Sequence, residues 1–267
     1  MPQTIASRLT LACLAVLVSA AAVPAQERMP GLDTRTELVR LGTGAAATLT
    51  LPPGAAGRPL GAVVLLPDAD GMGPRGAVYG QRLLENGLAL LEPDFAGGLG
   101  EDTPLPPAAV RLRLALAALA ADPRIDPGRV ALLGLGEGAR AALLGREAAG
   151  QAPLALLYPG CDATLAAAAA QATGPVLLLH GDADPANDPA ACGRLAAAFP
   201  VPAAVRHSVL AGASYGWDAY NLVLPGGITR LADPAGSGRR AWSRPDVTTT
   251  LVAADRVVGF VLAALRR

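Results

Sequence analysis

Short runs of valine, leucine and alanine alternate along this chain with segments of helix length, and that alternation constrains the fold more than any other feature. The expected strands are Glu37 to Leu41, Ala46 to Leu51, Gly61 to Pro67, Leu88 to Pro93, Arg129 to Leu135, Pro153 to Tyr158, Pro175 to His180 and Ala203 to Leu210. The expected helices are Arg75 to Glu85, Pro107 to Ala121, Glu137 to Ala149, Asp162 to Ala172, Ala190 to Phe199 and Val247 to Leu265. Strands that are apolar throughout, rather than at every second residue, must be covered on both faces, which calls for a mostly parallel eight-stranded sheet between two helical layers. Right-handed crossovers then gather the functional loops at the carboxyl ends of the strands. The stretch Leu224 to Arg244, rich in glycine, proline and arginine, reads as one long irregular loop that either roofs a pocket or is an unstructured insertion.

With 267 residues, 52% of them apolar, the chain can build the core of one large domain. Its 22 basic residues, all arginine and scattered, balance 22 acidic ones, so no electrostatic footprint for nucleic acid or an anionic membrane is present. The first 25 residues read as a signal peptide: Arg8, an apolar run from Leu9 to Val23, and the small-residue site Val23-Pro24-Ala25. That run is shorter than the roughly 20 residues a membrane span needs, so an exported, periplasmic or secreted domain from residue 26 to residue 267 is expected. Cys13 would leave with the signal. Cys161 and Cys192 would remain, as a disulfide in an oxidising compartment or as two buried thiols. The two histidines, His180 and His207, lie far apart in sequence and no Cys-x-x-Cys pair is present, so neither a metal site nor a cofactor is expected.

The sharpest local motif is Gly134-Leu135-Gly136-Glu137-Gly138, where an apolar strand turns straight into a helix. This is the setting of a nucleophile elbow, whose apex needs positive φ and whose flanks must be small because the helix presses close behind the strand. Gly134 and Gly138 fill the flanks. The apex, where serine or cysteine would stand, is Gly136, which keeps the turn and removes the attacking atom.

At these residues the chain resembles the dienelactone hydrolase family of α/β-hydrolases, and the resemblance can be followed over most of the sequence beyond residue 25. Val63 to Arg75 resembles the family's strand and oxyanion loop, which points to Asp68 and Ala69 beside the site, as the elbow points to Leu135 and Glu137. Tyr79 to Phe95 resembles the helix and strand that follow. Val176 to Leu195 resembles the strand and turn that carry the triad acid, which matches Asp184. The family's histidine stretch is matched by Ala211 to Asp218, with Tyr215 at the histidine. The family's order of nucleophile, acid and histidine is thus kept as Gly136, Asp184 and Tyr215, with only the acid retained.

An acid alone orients a histidine that is not there, and tyrosine, with an ordinary pKa near 10, is a poor base at neutral pH. Restoring a triad is therefore expected to need Gly136→Ser and Tyr215→His together, with Asp184 as orienter. Three readings follow: an impaired hydrolase that binds a small molecule or a protein at the old active-site mouth, an unconventional ester or lactone hydrolase, or a nucleotide binder. For the second, Cys161 with His180 as its base is one candidate nucleophile and Ser214 another; His207 reads as structural or surface. For the third, Gly134 to Ala139 satisfies G-x-G-x-x-A, although Glu137 would face the phosphates and no acidic residue ends the next strand. Asp70 and Asp182 read as solvated turn residues.

Overall fold

A computed structural model describes residues 34–41, 45–55, 57–94, 106–200, 204–220 and 227–266. The expected signal peptide lies outside the described residues. Eight strands form one sheet: β1 (Arg35–Arg40), β2 (Ala46–Leu51), β3 (Leu60–Leu66), β4 (Ala89–Asp94), β5 (Ile125–Leu135), β6 (Leu154–Leu157), β7 (Val176–Gly181) and β8 (Val205–Leu210). Their order is β1-β2-β4-β3-β5-β6-β7-β8. The β1–β2 and β2–β4 pairings are antiparallel, and every pairing from β4 through β3 to β8 is parallel. This is the mostly parallel α/β sheet that the alternation requires.

The helices are α1 (Arg75–Glu85), α2 (Ala108–Ala121), α3 (Glu137–Leu144), α4 (Arg146–Ala149), α5 (Ala163–Ala169), α6 (Pro189–Ala198) and α7 (Val247–Leu265). Two apolar clusters, one on each face of the sheet, make the core: alternate residues Val64 and Leu66 or Leu132 point to one, and Val63 and Leu65 or Leu133 to the other. Helix α7 is long and apolar enough to cross a membrane by composition, but its stripe of Ala253, Ala254, Val257, Phe260 and Val261 is buried in the second cluster.

The structure corrects two expectations. The helix expected from Glu137 to Ala149 breaks at Gly145, whose φ of −90° and ψ of 8° leave the helical region, and the residue there must be glycine because a side chain would collide with Leu112 of α2. The stretch from 224 to 244 is not a plain loop, since a hairpin of β9 (Thr229–Ala232) and β10 (Arg240–Ser243) lies within it. Its strands are too short to leave a clear alternation, burying only Leu231, Ala241 and Ser243 and turning Arg230, Arg240 and Trp242 outward.

Candidate functional site

The turn after β5 has the backbone of a nucleophile elbow. Gly136 sits at φ 51° and ψ −112°, and α3 starts at the next residue. A side chain at Gly138 would run into the carbonyl oxygens of Leu66 and Pro67, and one at Gly134 into the backbone of Ala139, so strand and helix touch through their glycines. The flanking glycines are thus required by the close approach, and Gly136 by its positive φ.

The space above Gly136 is filled by a carboxylate. Asp68, two residues past the end of β3, is 3% exposed. Its Oδ1 accepts hydrogen bonds from the Ala69 amide at 2.8 Å and the Glu137 amide at 3.1 Å. Its Oδ2 accepts from Arg75 Nη1 at 2.8 Å, and the Tyr215 hydroxyl lies 3.0 Å from both oxygens. The amide that follows an elbow apex and an amide of the loop after β3 are the donors that would hold the oxyanion of an acyl-transfer intermediate. Here both already serve an oxygen of the protein. A side chain at Gly136 would stand only 2.5 Å from Asp68 Cγ and would also overlap the Tyr215 hydroxyl.

A second buried carboxylate supports this cluster from below. Asp218 is fully buried and accepts from the hydroxyls of Tyr79 at 2.5 Å and Tyr158 at 2.8 Å. Burial raises its pKa, against the pull of the Arg75 charge and the two tyrosines. Arg75 is itself buried, yet the carboxylates of Asp68 and Asp218 hold its pKa up, so the guanidinium stays charged and is further bound by the Gly71 carbonyl at 2.5 Å. Burial, and then the negative charge of Asp68, drive the Tyr215 pKa far above its ordinary value. Tyr215 therefore acts as a hydrogen-bond donor and cannot be a general base at physiological pH. Its ring meets Tyr158 edge-on at 5.2 Å between centroids, and Tyr158 meets Trp217 likewise at 4.7 Å.

Asp184 follows β7 at the same edge of the sheet and is 2% exposed. It does not orient Tyr215, whose hydroxyl is given to Asp68. Its oxygens instead accept from the Ala186 amide and from Asn187 Nδ2, both at 2.8 Å, which ties its own turn together. Burial pushes its pKa up to about 7, partly offset by those donors. A carboxyl whose pKa is higher in the folded state stabilises the fold most at low pH and loses that contribution as pH rises through the folded value. The stability of the protein relative to Asp184→Asn is thus expected to fall between pH 4 and pH 8, by at most about 1.4 kcal/mol per pH unit. Urea unfolding of both proteins across that range checks it, and parallel pH profiles would refute it.

The other candidates are placed as follows. Cys161 and Cys192 form a disulfide with Cα atoms 5.0 Å apart, so Cys161 offers no thiol. His180 Nε2 lies 2.8 Å from His207 Nε2, so its ring is engaged there and, among the described residues, with no nucleophile; the two histidines, distant in sequence, are neighbours. Ser214 Oγ donates to the Arg244 carbonyl at 3.1 Å and accepts from the Arg244 amide at 2.7 Å. Leu135 is a fully buried β5 residue, and the Glu137 side chain pairs with Arg111 at 2.6 Å. Asp182 caps the Gly212 amide at 2.6 Å. Asp70 is more than a solvated turn residue, because it accepts from the Ala232 amide at 2.5 Å and from Arg240 Nη2 at 3.3 Å, fastening the hairpin over the loop after β3. Leu231 and Ser243 of the hairpin also pack on Gly216, next to Tyr215.

Two open depressions lie away from this site: one of about 1120 Å³ lined by Arg58, Pro127, Pro153 and Pro175 at the amino ends of the strands, and one of about 730 Å³ between α1 and α7. Among the described residues no group of three or more histidine, cysteine or acidic side chains could hold a metal ion. Sequence reasoning placed Asp68 beside the site but missed its occupation of the hole, and it missed Arg75, Tyr79, Tyr158 and Asp218. The one available signal was a carboxylate in the loop expected to donate amides.

No family model matches the sequence, and no curated protein does. Solved structures do match. A dienelactone hydrolase-like promiscuous phosphotriesterase from metagenomic libraries is 18% identical with a TM-score of 0.65, covering 88% of this chain and 99% of that one. The dienelactone hydrolase of Anabaena variabilis is 17% identical with a TM-score of 0.64, covering 88% and 99%. Est1E of Butyrivibrio proteoclasticus is 13% identical with a TM-score of 0.60, covering 87% and 99%. The strand order, the elbow and these neighbours agree: the chain has the α/β-hydrolase fold, in the form shared by dienelactone hydrolase-like proteins.

Proposed function

We propose that this chain is an exported dienelactone hydrolase-like protein that no longer performs covalent ester or lactone hydrolysis, a pseudoenzyme that acts by binding at the rim of its former active site. The observation that carries this reading is the carboxylate of Asp68 on both oxyanion amides, above an elbow that bears no nucleophile. Three requirements of the reaction fail at once. No side chain attacks, no base receives a proton, and a negative charge already stands where the transition state would develop one, which opposes rather than stabilises it. A small-molecule or protein ligand would find Arg230, Arg240 and Trp242 on the outer face of the hairpin, which Asp70 fastens to the loop after β3. The disulfide fits an oxidising compartment and so supports export.

Nucleotide binding is disfavoured by the same geometry, because the first amide of α3 is spent on Asp68 and the Glu137 charge stands beside it. The unconventional hydrolase loses Cys161 to its disulfide, and Ser214, its other candidate, hydrogen-bonds backbone atoms of Tyr215 and Arg244 and no base among the described residues. Purified protein is expected to turn over an activated aryl ester no faster than the same protein heat-unfolded, and to take up no fluorophosphonate label. Saturable turnover that disappears in Ser214→Ala would overturn the non-catalytic reading.

A further inference from the structure

The arginines are scattered through the sequence, but the fold gathers four of them at the amino ends of the strands, the edge of the sheet opposite the elbow. Arg58, Arg129 and Arg266 line the open depression of about 1120 Å³ there, and Arg146 stands behind its wall. Among the described residues no carboxylate pairs with any of the four. We propose that this depression is a binding site for a phosphate-bearing small molecule, separate from the rim of the former active site.

Arg146 is the first argument. It is 6% exposed, and none of its guanidinium nitrogens has a hydrogen-bond partner among the described residues. A buried charge left unpaired is strongly destabilising, so a nearby anion gains from it. Burial lowers its pKa with no carboxylate to oppose the shift, but an arginine starts high enough to stay charged at neutral pH. Its Nη2 comes within 3.0 Å of the place a side chain at Gly174 would occupy. Gly174 lines the depression, as do Ala148 and Ala149 of the arginine's own helix α4. The charge thus stands directly behind the wall, where solvent screens its field little.

The balance of charge decides the class of ligand. Against four guanidinium groups the depression holds one acid, Asp126, whose Oδ1 already accepts from the Gly128 amide at 2.9 Å. A lone carboxylate would neutralise one arginine, whereas a phosphate monoester carries about −1.5 to −2 at neutral pH and three acceptor oxygens that suit guanidinium forks. Arg129 spends only Nε, on the Leu265 carbonyl at 3.4 Å, which leaves its terminal nitrogens for an anion. Leu116 and Pro153 give an apolar wall for the carbon part of the ligand, and the volume is that of clefts that hold small molecules. The competing reading is that arginines collect here only because α2, α4 and α7 end here, with the negative ends of their dipoles. It does not cover Arg146, which is the first residue of α4.

The test titrates the protein with inorganic phosphate at constant ionic strength, read by amide resonances and by thermal unfolding, with citrate as the carboxylate comparison. Phosphate is expected to shift the Gly128 and Gly174 amides saturably and to raise Tm with its concentration. Arg58→Ala with Arg266→Ala, at two exposed positions, should weaken binding at least about tenfold, the worth of one hydrogen bond to a charged group. Arg146→Met removes the charge and keeps most of the volume. Without phosphate it should unfold at a higher Tm than the unmodified protein, and it should lose most of the phosphate response. No saturable shift, a response unchanged in the exposed double variant or in Arg146→Met, or citrate bound more tightly than phosphate would each overturn the proposal. None of these outcomes bears on the absence of esterase activity.

Discussion

Gly136→Ser with Tyr215→His is expected to remain inactive toward an activated aryl ester, and adding Asp68→Ala is expected to raise turnover at least about 100-fold over the double variant. The figure is the typical contribution of one oxyanion donor, and two are freed at once. In the double variant a serine side chain would lie against the Asp68 carboxyl, and the Ala69 and Glu137 amides would still be engaged by Oδ1. The two-residue restoration that the chain order suggests therefore falls one substitution short. Removing Asp68 alone leaves Arg75 as a buried charge without its main partner, a change worth about 3–5 kcal/mol. The comparison should accordingly include Asp68→Ala with Arg75→Met, which removes both partners, and each protein should be checked for folding. A double variant as active as the triple would show that Asp68 does not obstruct the hole.

The elbow glycines are expected to separate by what can compensate for them. Gly138→Ala should destabilise by about 4 kcal/mol or more, because its methyl meets two backbone carbonyls that cannot move without parting β3 from α3. Gly136→Ala should cost about 3 kcal/mol, from positive φ and from overlap with Asp68 and Tyr215. Those neighbours are side chains. In a background of Asp68→Ala and Tyr215→Phe the Gly136→Ala cost should fall by about half, whereas the Gly138→Ala cost should not change. Denaturant unfolding of the four pairs reads both. Equal relief at the two positions would mean that the packing around the turn is not as described.

Most of the scaffold was legible because burial on two faces leaves a continuous apolar signature in each strand, as in Val63 to Leu66 and Val176 to Leu179. The elbow was legible because close approach and positive φ demand glycine at fixed spacing, whereas the place of Asp184 in a turn after β7 says nothing of a triad acid, since its oxygens serve only that turn. The hairpin was not, since strands as short as Thr229–Ala232 with arginine on the outer face carry little periodicity. The occupied hole was not either. Gly136, Asp68 and Tyr215 each look like an isolated departure when read one motif at a time. Their mutual fit depends on a side chain 68 residues before the apex reaching into the space that glycine leaves, which only coordinates show. The same holds for His180 and His207, whose sequence separation concealed a direct contact across β7 and β8.

The central claim is that Asp68 permanently satisfies the two amides that a hydrolase of this fold would keep for its transition state. Amide resonances of Ala69 and Glu137 report on it directly by nuclear magnetic resonance. Hydrogen bonds to a carboxylate are short and strong, so both amides should be shifted downfield and should exchange slowly with solvent in the unmodified protein. Both features should be lost in Asp68→Ala with Arg75→Met, which strands no buried charge, while the rest of the spectrum persists. Amides that exchange as fast in the unmodified protein as in that variant would show an open hole, and a site closed from within would be ruled out.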